Sequence, residues 1–254
     1  MNDRVEPHVG FEFKGTEGHI SRAFQAEKLE VLGLNPNLYG EFVDPSFYIG
    51  KGIQAGVEAG ISAEGNVNML STVRMHRPVR LEEPLICRGR IDAVDAVPRG
   101  FQIATDVWFE GLDGERAVSV PRRSLKPDLS KAKQGAGQRP PPVISDVGQL
   151  TRLSEHRLTP DAVCSYSNEG NSIHYDMQAA NVAGFRAPII GGGMGVHYLI
   201  AELWSEHCSE IWLDIFFRRP IFWDDEFYVG RTNDGIALIR GDKVLTEARI
   251  SGSG

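Results

Sequence analysis

Val73-Arg74-Met75-His76-Arg77-Pro78-Val79-Arg80-Leu81-Glu82-Glu83-Pro84-Leu85-Ile86-Cys87 reads as strand, bend, strand, and the chain repeats it further on. The second copy is Ile215-Phe216-Phe217-Arg218-Arg219-Pro220-Ile221-Phe222-Trp223-Asp224-Asp225-Glu226-Phe227-Tyr228-Val229. The two Arg-Pro pairs stand 142 residues apart, and the same offset lays Glu82-Glu83 over Asp224-Asp225. An internal repeat of this kind constrains the fold before any single motif does.

A helical segment precedes each copy. In the first half Ile49, Ile53, Val57 and Ile61 recur every four residues, with Gly52, Gly56 and Gly60 on a neighbouring line. This predicts one apolar face and one thin face, the latter allowing close approach of a sheet or leaving room for a bulky acyl group. In the second half Val196, Ile200 and Leu203 form the stripe behind Gly191-Gly192-Gly193.

Strands are predicted at 68–76, 85–94, 101–109 and 116–122, and again at 210–217, 226–231, 235–240 and 243–250. The short connections Gly111-Leu112-Asp113-Gly114 and Arg240-Gly241-Asp242 favour antiparallel hairpins, because a parallel crossover needs about a dozen residues. A helix with one apolar face buries it on such a sheet, which gives an α+β unit in each half. Between the halves, Leu129 to Pro142 is rich in Gly, Lys, Gln and Pro and predicts a linker. The expected organisation is an N-terminal half at 1–128, a linker at 129–145 and a C-terminal half at 146–254.

With 254 residues, 41% hydrophobic and 24% charged, the chain suffices for a sizeable core. Its net charge of −7 argues against bulk attraction to nucleic acid or to an anionic membrane. Cys87, Cys164 and Cys208 match neither a disulfide framework nor a metal-ligand spacing. No signal or transit peptide is visible in residues 1–18, and no run is long enough to span a bilayer, so the expected compartment is the cytoplasm.

A helix wrapped by four antiparallel strands, with the aromatic-Arg-Arg-Pro step between strands, resembles the hotdog fold. Two such halves in one chain resemble the double-hotdog members of the MaoC-like, (R)-specific enoyl-CoA hydratase family. That family's signature runs Asp-x-Asn-Pro-hydrophobic-His-x-Asp, then an alanine, a phenylalanine and a Pro-Ile-hydrophobic-His-Gly turn. Here Glu169-Gly170-Asn171-Ser172-Ile173-His174-Tyr175-Asp176 is followed by Ala180, Gly184-Phe185 and Ala187-Pro188-Ile189-Ile190-Gly191-Gly192. Two positions depart from the pattern: Glu169 stands for the usual Asp, and Ser172 for the usual Pro.

The chemistry of these residue types agrees. Hydrating an α,β-unsaturated thioester needs a base to take a proton from water and an acid to protonate the α-carbon, and Glu and His are readily tuned for both. Glu169 and His174 are the expected catalytic pair. The enolate-like oxyanion needs donors already in place, which a glycine-led helix start supplies; the resemblance singles out the Gly192 amide. Asn171, Gly191 and Gly193 complete the expected substrate-binding set, Asn171 pinning the loop or the carboxylate. Asp176 is expected to cap a helix over 177–182 that Gly184 ends.

Other groups carry less. His197 reads as a core or surface histidine more readily than as a pocket residue. Arg74, Arg77 and Arg80, or Arg122, Arg123 and Lys126, are candidates for the phosphates of coenzyme A. No metal site and no cofactor are expected: the glycines lack dinucleotide-loop spacing and no tight ligand pair is present. The first half has no matching Glu and His, and Tyr48-Ile49-Gly50-Lys51-Gly52 is taken as its corresponding turn, so one site per chain follows. The reading is therefore a hydro-lyase on an acyl-CoA or other acyl thioester, possible as a homodimer. Its alternatives are a hotdog thioesterase, or a non-catalytic acyl-CoA-binding protein in which Glu169 has disabled the site.

Overall fold

The computed structural model describes residues 5–131, 139–167 and 171–251. In chain order the first half holds β1 (Glu12–Gly18), α1 (Arg22–Val31), α2 (Phe47–Glu58), β2 (Val67–Met75), β3 (Leu85–Val97), β4 (Gly100–Glu110), β5 (Arg116–Ser119) and β6 (Arg122–Pro127). The second holds β7 (Thr151–Arg157), α3 (Pro160–Tyr166), α4 (Met177–Val182), α5 (Gly192–His207), β8 (Ile211–Phe217), β9 (Glu226–Arg231), β10 (Gly235–Arg240) and β11 (Lys243–Ile250). Among the described residues all strands belong to one antiparallel sheet, ordered β1-β3-β4-β5-β2-β8-β11-β10-β9-β7, with β6 beside β2 and β4.

The order is a palindrome in the repeat. Strands β2 and β8 are the two copies of the same strand, and they pair with each other at the centre of the sheet. Their register sets Thr72 opposite Asp214, its own counterpart 142 residues on, and the Thr72 hydroxyl donates to the Asp214 carboxylate at 3.0 Å. A pseudo-twofold axis therefore passes through this pair. The repeated acidic step has a local cause: the carboxylates of Glu83 and Asp225 accept from the N–H groups of Arg80 and Phe222, each three residues back, at 3.0 and 2.8 Å. This is the double hotdog.

Several expectations are corrected. Each half has a further strand, β1 and β7, which close the outer edges. The single strand expected at 116–122 is split into β5 and β6 around Val120-Pro121. The predicted apolar stripe does not set the orientation of α2. That helix ends before Ile61, and Val57 faces solvent. The glycine line faces the sheet instead: a Cβ on Gly52 would lie 3.1 Å from Val107, and one on Gly56 3.3 Å from Phe13. Sheet side chains take the space expected for an acyl group. Helix α5 is buried nearly all round, with Val196, Ile200 and Leu203 in the core.

Much of the 129–142 segment lies outside the described residues. Its proline end is held by Arg218, which donates to the carbonyls of Pro140 and Pro141 and to Glu247. Among the described residues no helix is long and apolar enough to cross a membrane.

Candidate active site

A cavity of about 290 Å³ opens where the two halves meet. Asn171, His174, Gly191, Gly192 and Gly193 all line it, so five of the six residues singled out from the sequence come together. The sixth, Glu169, lies outside the described residues.

Local rules build the loop that carries His174. Thr159 caps α3 by accepting from the Ala162 N–H, Pro160 starts the helix, and α3 delivers the chain to the loop. Beyond the loop, Asp176 accepts from the Ala179 N–H at 2.6 Å to cap α4, and Gly184 follows that helix at φ +87°, as the spacing predicts. The loop itself is fastened to the first half. Asn171 accepts from the Gly65 N–H and donates to the Asn66 carbonyl, both at 3.1 Å, so its buried amide holds one loop against the other. Ser172 donates from both its N–H and its hydroxyl to the Glu64 carboxylate. A proline here would lack that N–H, which gives the departure at Ser172 a structural reason.

His174 Nδ1 lies 2.7 Å from the Ile189 carbonyl. A carbonyl oxygen only accepts, so Nδ1 carries the hydrogen and the neutral ring keeps a lone pair on Nε2. Ile189 is itself fixed, donating to the Ile173 carbonyl and forming an isolated bridge to Phe222, so the imidazole is held by a backbone anchored on both sides.

From Ile189 the chain runs directly into α5. Gly191 is its N-cap and offers no side-chain cap. Among the described residues nothing accepts from the N–H groups of Gly192 and Gly193. A Cβ on Gly192 would sit 2.9 Å from both Asn68 Nδ2 and Phe217 Cζ, so only glycine fits without displacement. Asn68 and Phe217 went unnoticed in the sequence; what brings Asn68 here is pairing across the halves, which no local pattern announces.

The arginine candidates separate. Arg74 stacks on Trp212, Arg77 pairs with Glu83 and Arg80 with Glu41, so all three are engaged elsewhere. Arg123 is exposed and Lys126 pairs with Glu6. Arg122 alone of the second trio lines the cavity.

Behind the cavity, His197 is a core residue, wholly buried and bonded at both ring nitrogens. Its Nδ1 meets Asp44 at 2.6 Å and its Nε2 the Tyr166 hydroxyl at 2.6 Å. The chain Asp44–His197–Tyr166 thus links the first half to α5 and to the end of α3. The buried Tyr39 hydroxyl has its pKa raised by burial first and by the Asp44 charge second. Among the described residues no cluster of His, Cys, Asp and Glu suits a metal ion.

No family model matches this sequence, and no curated protein does. Solved structures do. HtdX from Mycobacterium tuberculosis superposes with a TM-score of 0.77 at 18% identity, covering 95% of this chain and 99% of that one. A MaoC-like dehydratase from Phytophthora capsici gives 0.66 at 14%, covering 95% of each chain. A second M. tuberculosis protein, described as having a double hotdog fold, gives 0.67 at 12%, covering 96% and 95%. At these identities the likeness establishes a shared fold along nearly the whole chain.

Proposed function

We propose that this protein is a hydro-lyase that adds water reversibly to a 2-enoyl thioester, giving the 3-hydroxyacyl thioester. The observation that carries the reading is the meeting, in one cavity of a double hotdog, of His174 with a fixed tautomer and the open amides that begin α5. The MaoC-like dehydratases of the same fold support it.

In this reading Glu169 and His174 share one water molecule. Its hydroxyl adds to the β-carbon, a proton reaches the α-carbon, and the Gly192 amide receives the charge that gathers on the thioester oxygen. Gly191 and Gly193 shape the same pocket, and Asn171 keeps its loop in place. The C-terminal half (146–254) supplies the chemistry. The N-terminal half (1–128) supplies a wall of the acyl site, and 129–145 joins them. Acyl-CoA is the substrate form we favour, in the cytoplasm.

The test is to incubate the purified protein with crotonyl-CoA and longer enoyl-CoAs, following enone absorbance and free thiol together. Loss of absorbance without thiol release is expected. Thiol release instead would make it a thioesterase, and neither signal across chain lengths, with binding intact, would overturn catalysis.

A further inference from the structure

The cavity carries a charge that nothing on the described protein answers. Arg122 begins β6, a strand bonded on both sides, and stands opposite Ser71 of β2 and Thr105 of β4. Residues directly opposite on neighbouring strands share a face. Ser71 alternates with Val73 and Met75, and Thr105 with Ile103 and Val107, all of them buried. Val107 is the side chain that a Cβ on Gly52 of α2 would strike, so this is the face beneath the helices. Arg122 therefore occupies a position where an apolar side chain is the rule.

Its Nε is buried without a hydrogen-bond partner, and so is the hydroxyl of Ser71 beside it. Burial lowers the Arg122 pKa to about 10, which still leaves it charged at neutral pH. Of the other guanidiniums along the cavity, Arg218 is committed to Glu247 and two proline carbonyls, Arg219 to the Val244 carbonyl and Arg139 to the Arg218 carbonyl; Arg99 also has an unmet Nε, but it precedes Gly100, which pairs with Pro127 at the opposite end of β6 from Arg122. A desolvated cation with no anion is strongly disfavoured, and an unmet guanidinium in the cavity wall, with an unmet hydroxyl opposite it on the next strand, points to an anionic ligand.

We propose that Arg122 and Ser71 form a subsite for a carboxylate carried on the acyl chain, at its end remote from the thioester. The inference rests on the acyl-thioester reading above. A planar guanidinium matches a carboxylate with two parallel hydrogen bonds, and the Ser71 hydroxyl adds a third donor. Position favours the acyl chain over the phosphates of coenzyme A. Asn68, beside Gly192, pairs with Ser124, two residues along β6 from Arg122, or roughly 7 Å at strand spacing. An acyl chain leaving the thioester at Gly192 spans that distance in a few carbons, whereas the phosphates lie on the other side of the thioester.

The experiment compares saturated, unreactive thioesters of matched length by calorimetry: glutaryl-CoA with pentanoyl-CoA, adipyl-CoA with hexanoyl-CoA, suberyl-CoA with octanoyl-CoA. Because both members of a pair carry the same coenzyme A, contacts to its phosphates cancel in the ratio of Kd values. The wild type should favour the carboxylated member by on the order of tenfold or more at one length at least, the scale of a charge-assisted hydrogen bond. Arg122→Leu should abolish that preference, and Arg122→Lys should restore part of it. Ser71→Ala, a milder change, should weaken it several-fold should Arg122→Leu not fold. No preference in the wild type, or one that survives Arg122→Leu, would overturn the subsite. Since no turnover is involved, an Arg122-dependent preference in a protein inactive on enoyl-CoAs would leave the subsite standing and remove the hydratase reading. Hydration without any preference would do the reverse.

Discussion

The two halves approach their central helices in the same way and then part. Val43 and Ile190 donate to the carbonyls of Val79 and Ile221, which are counterparts in the repeat, and each follows an isolated bridge, Phe42 with Arg80 and Ile189 with Phe222. From Ile190 the chain enters α5 through Gly191, and among the described residues nothing accepts from the amides of Gly192 and Gly193. From Val43 it passes through Asp44-Pro45-Ser46 into α2, and there every amide is taken. Ser46 donates to the Asp44 carboxylate, and Phe47, Tyr48 and Ile49 donate to the carbonyls of Asp44, Pro45 and Ser46. The turn expected at Tyr48 to Gly52 lies inside α2, so the true counterpart of the glycine turn is Asp44-Pro45-Ser46. One fold thus presents an open helix start in one half and a closed one in the other, and the charge that closes it reaches across to His197.

The strongest way to break the comparison is to remove the groups proposed to give the second half its chemistry. His174→Ala and Glu169→Gln should each lower kcat by about 10²–10⁴, the usual worth of a positioned acid or base. Steady-state rates on the best enoyl-CoA are the readout. Unchanged rates in both variants would sink the pair.

Next in size is the closed side. Removing one partner of a buried pair costs about 3–5 kcal/mol, so His197→Leu, which leaves the buried Asp44 carboxylate its bond from the Ser46 N–H but takes away its histidine, should lower the urea midpoint sharply. Replacing Asp44 and His197 together by apolar residues of similar volume should cost less than the two single changes combined. A purely additive double mutant would mean that the pair does not act as a unit.

How much of this was legible in the sequence follows from what each feature depends on. The repeat, the antiparallel meanders and α4 with its Asp176 cap and Gly184 stop were readable because their causes lie within a few residues of one another. The convergence of Asn171, His174 and Gly192 was reachable through resemblance alone. The glycine line of α2 was legible as a face for close approach, but the choice between sheet and ligand was not, since it rests on packing against Val107, Val120 and Phe13, which are distant in sequence. Asn68 beside Gly192 and the Asp44–His197 pair were invisible, since each depends on which residues of one half meet those of the other, and Ser71 was invisible because its place opposite Arg122 depends on the register of β2 with β6.

The open helix start is sharpened by contrasting adjacent glycines. Gly192→Ala puts a Cβ 2.9 Å from Asn68 and Phe217, whereas at Gly193 the nearest atom is Ile49 Cγ2 at an ordinary 3.5 Å. Displacing a donor by several tenths of an ångström should lower kcat on the order of tenfold. Gly193→Ala should stay within about threefold. Equal effects would detach the oxyanion role from Gly192.

The smallest expected effect concerns the outer strands. His156 of β7 faces Phe227 in the ladder, as Gly18 of β1 faces Leu85, and those partners are again counterparts in the repeat. Where Gly18 leaves a cleft of about 150 Å³, the His156 ring packs on Tyr198 and Phe227 with centroids 4.4 and 5.8 Å away. Burial lowers the His156 pKa below 6.5, partly opposed by Glu202. The unfolded chain, with its ordinary pKa, therefore takes up the proton first as pH falls. Stability from the neutral ring is fully present above 6.5 and declines below it, until the folded form is protonated too. His156→Phe should flatten this acid-side decline in urea titrations between about pH 7.5 and pH 5. A wild-type decline that persists unchanged in the variant would assign it to other groups, and would leave His156 no more than a filler of the space that Gly18 leaves empty.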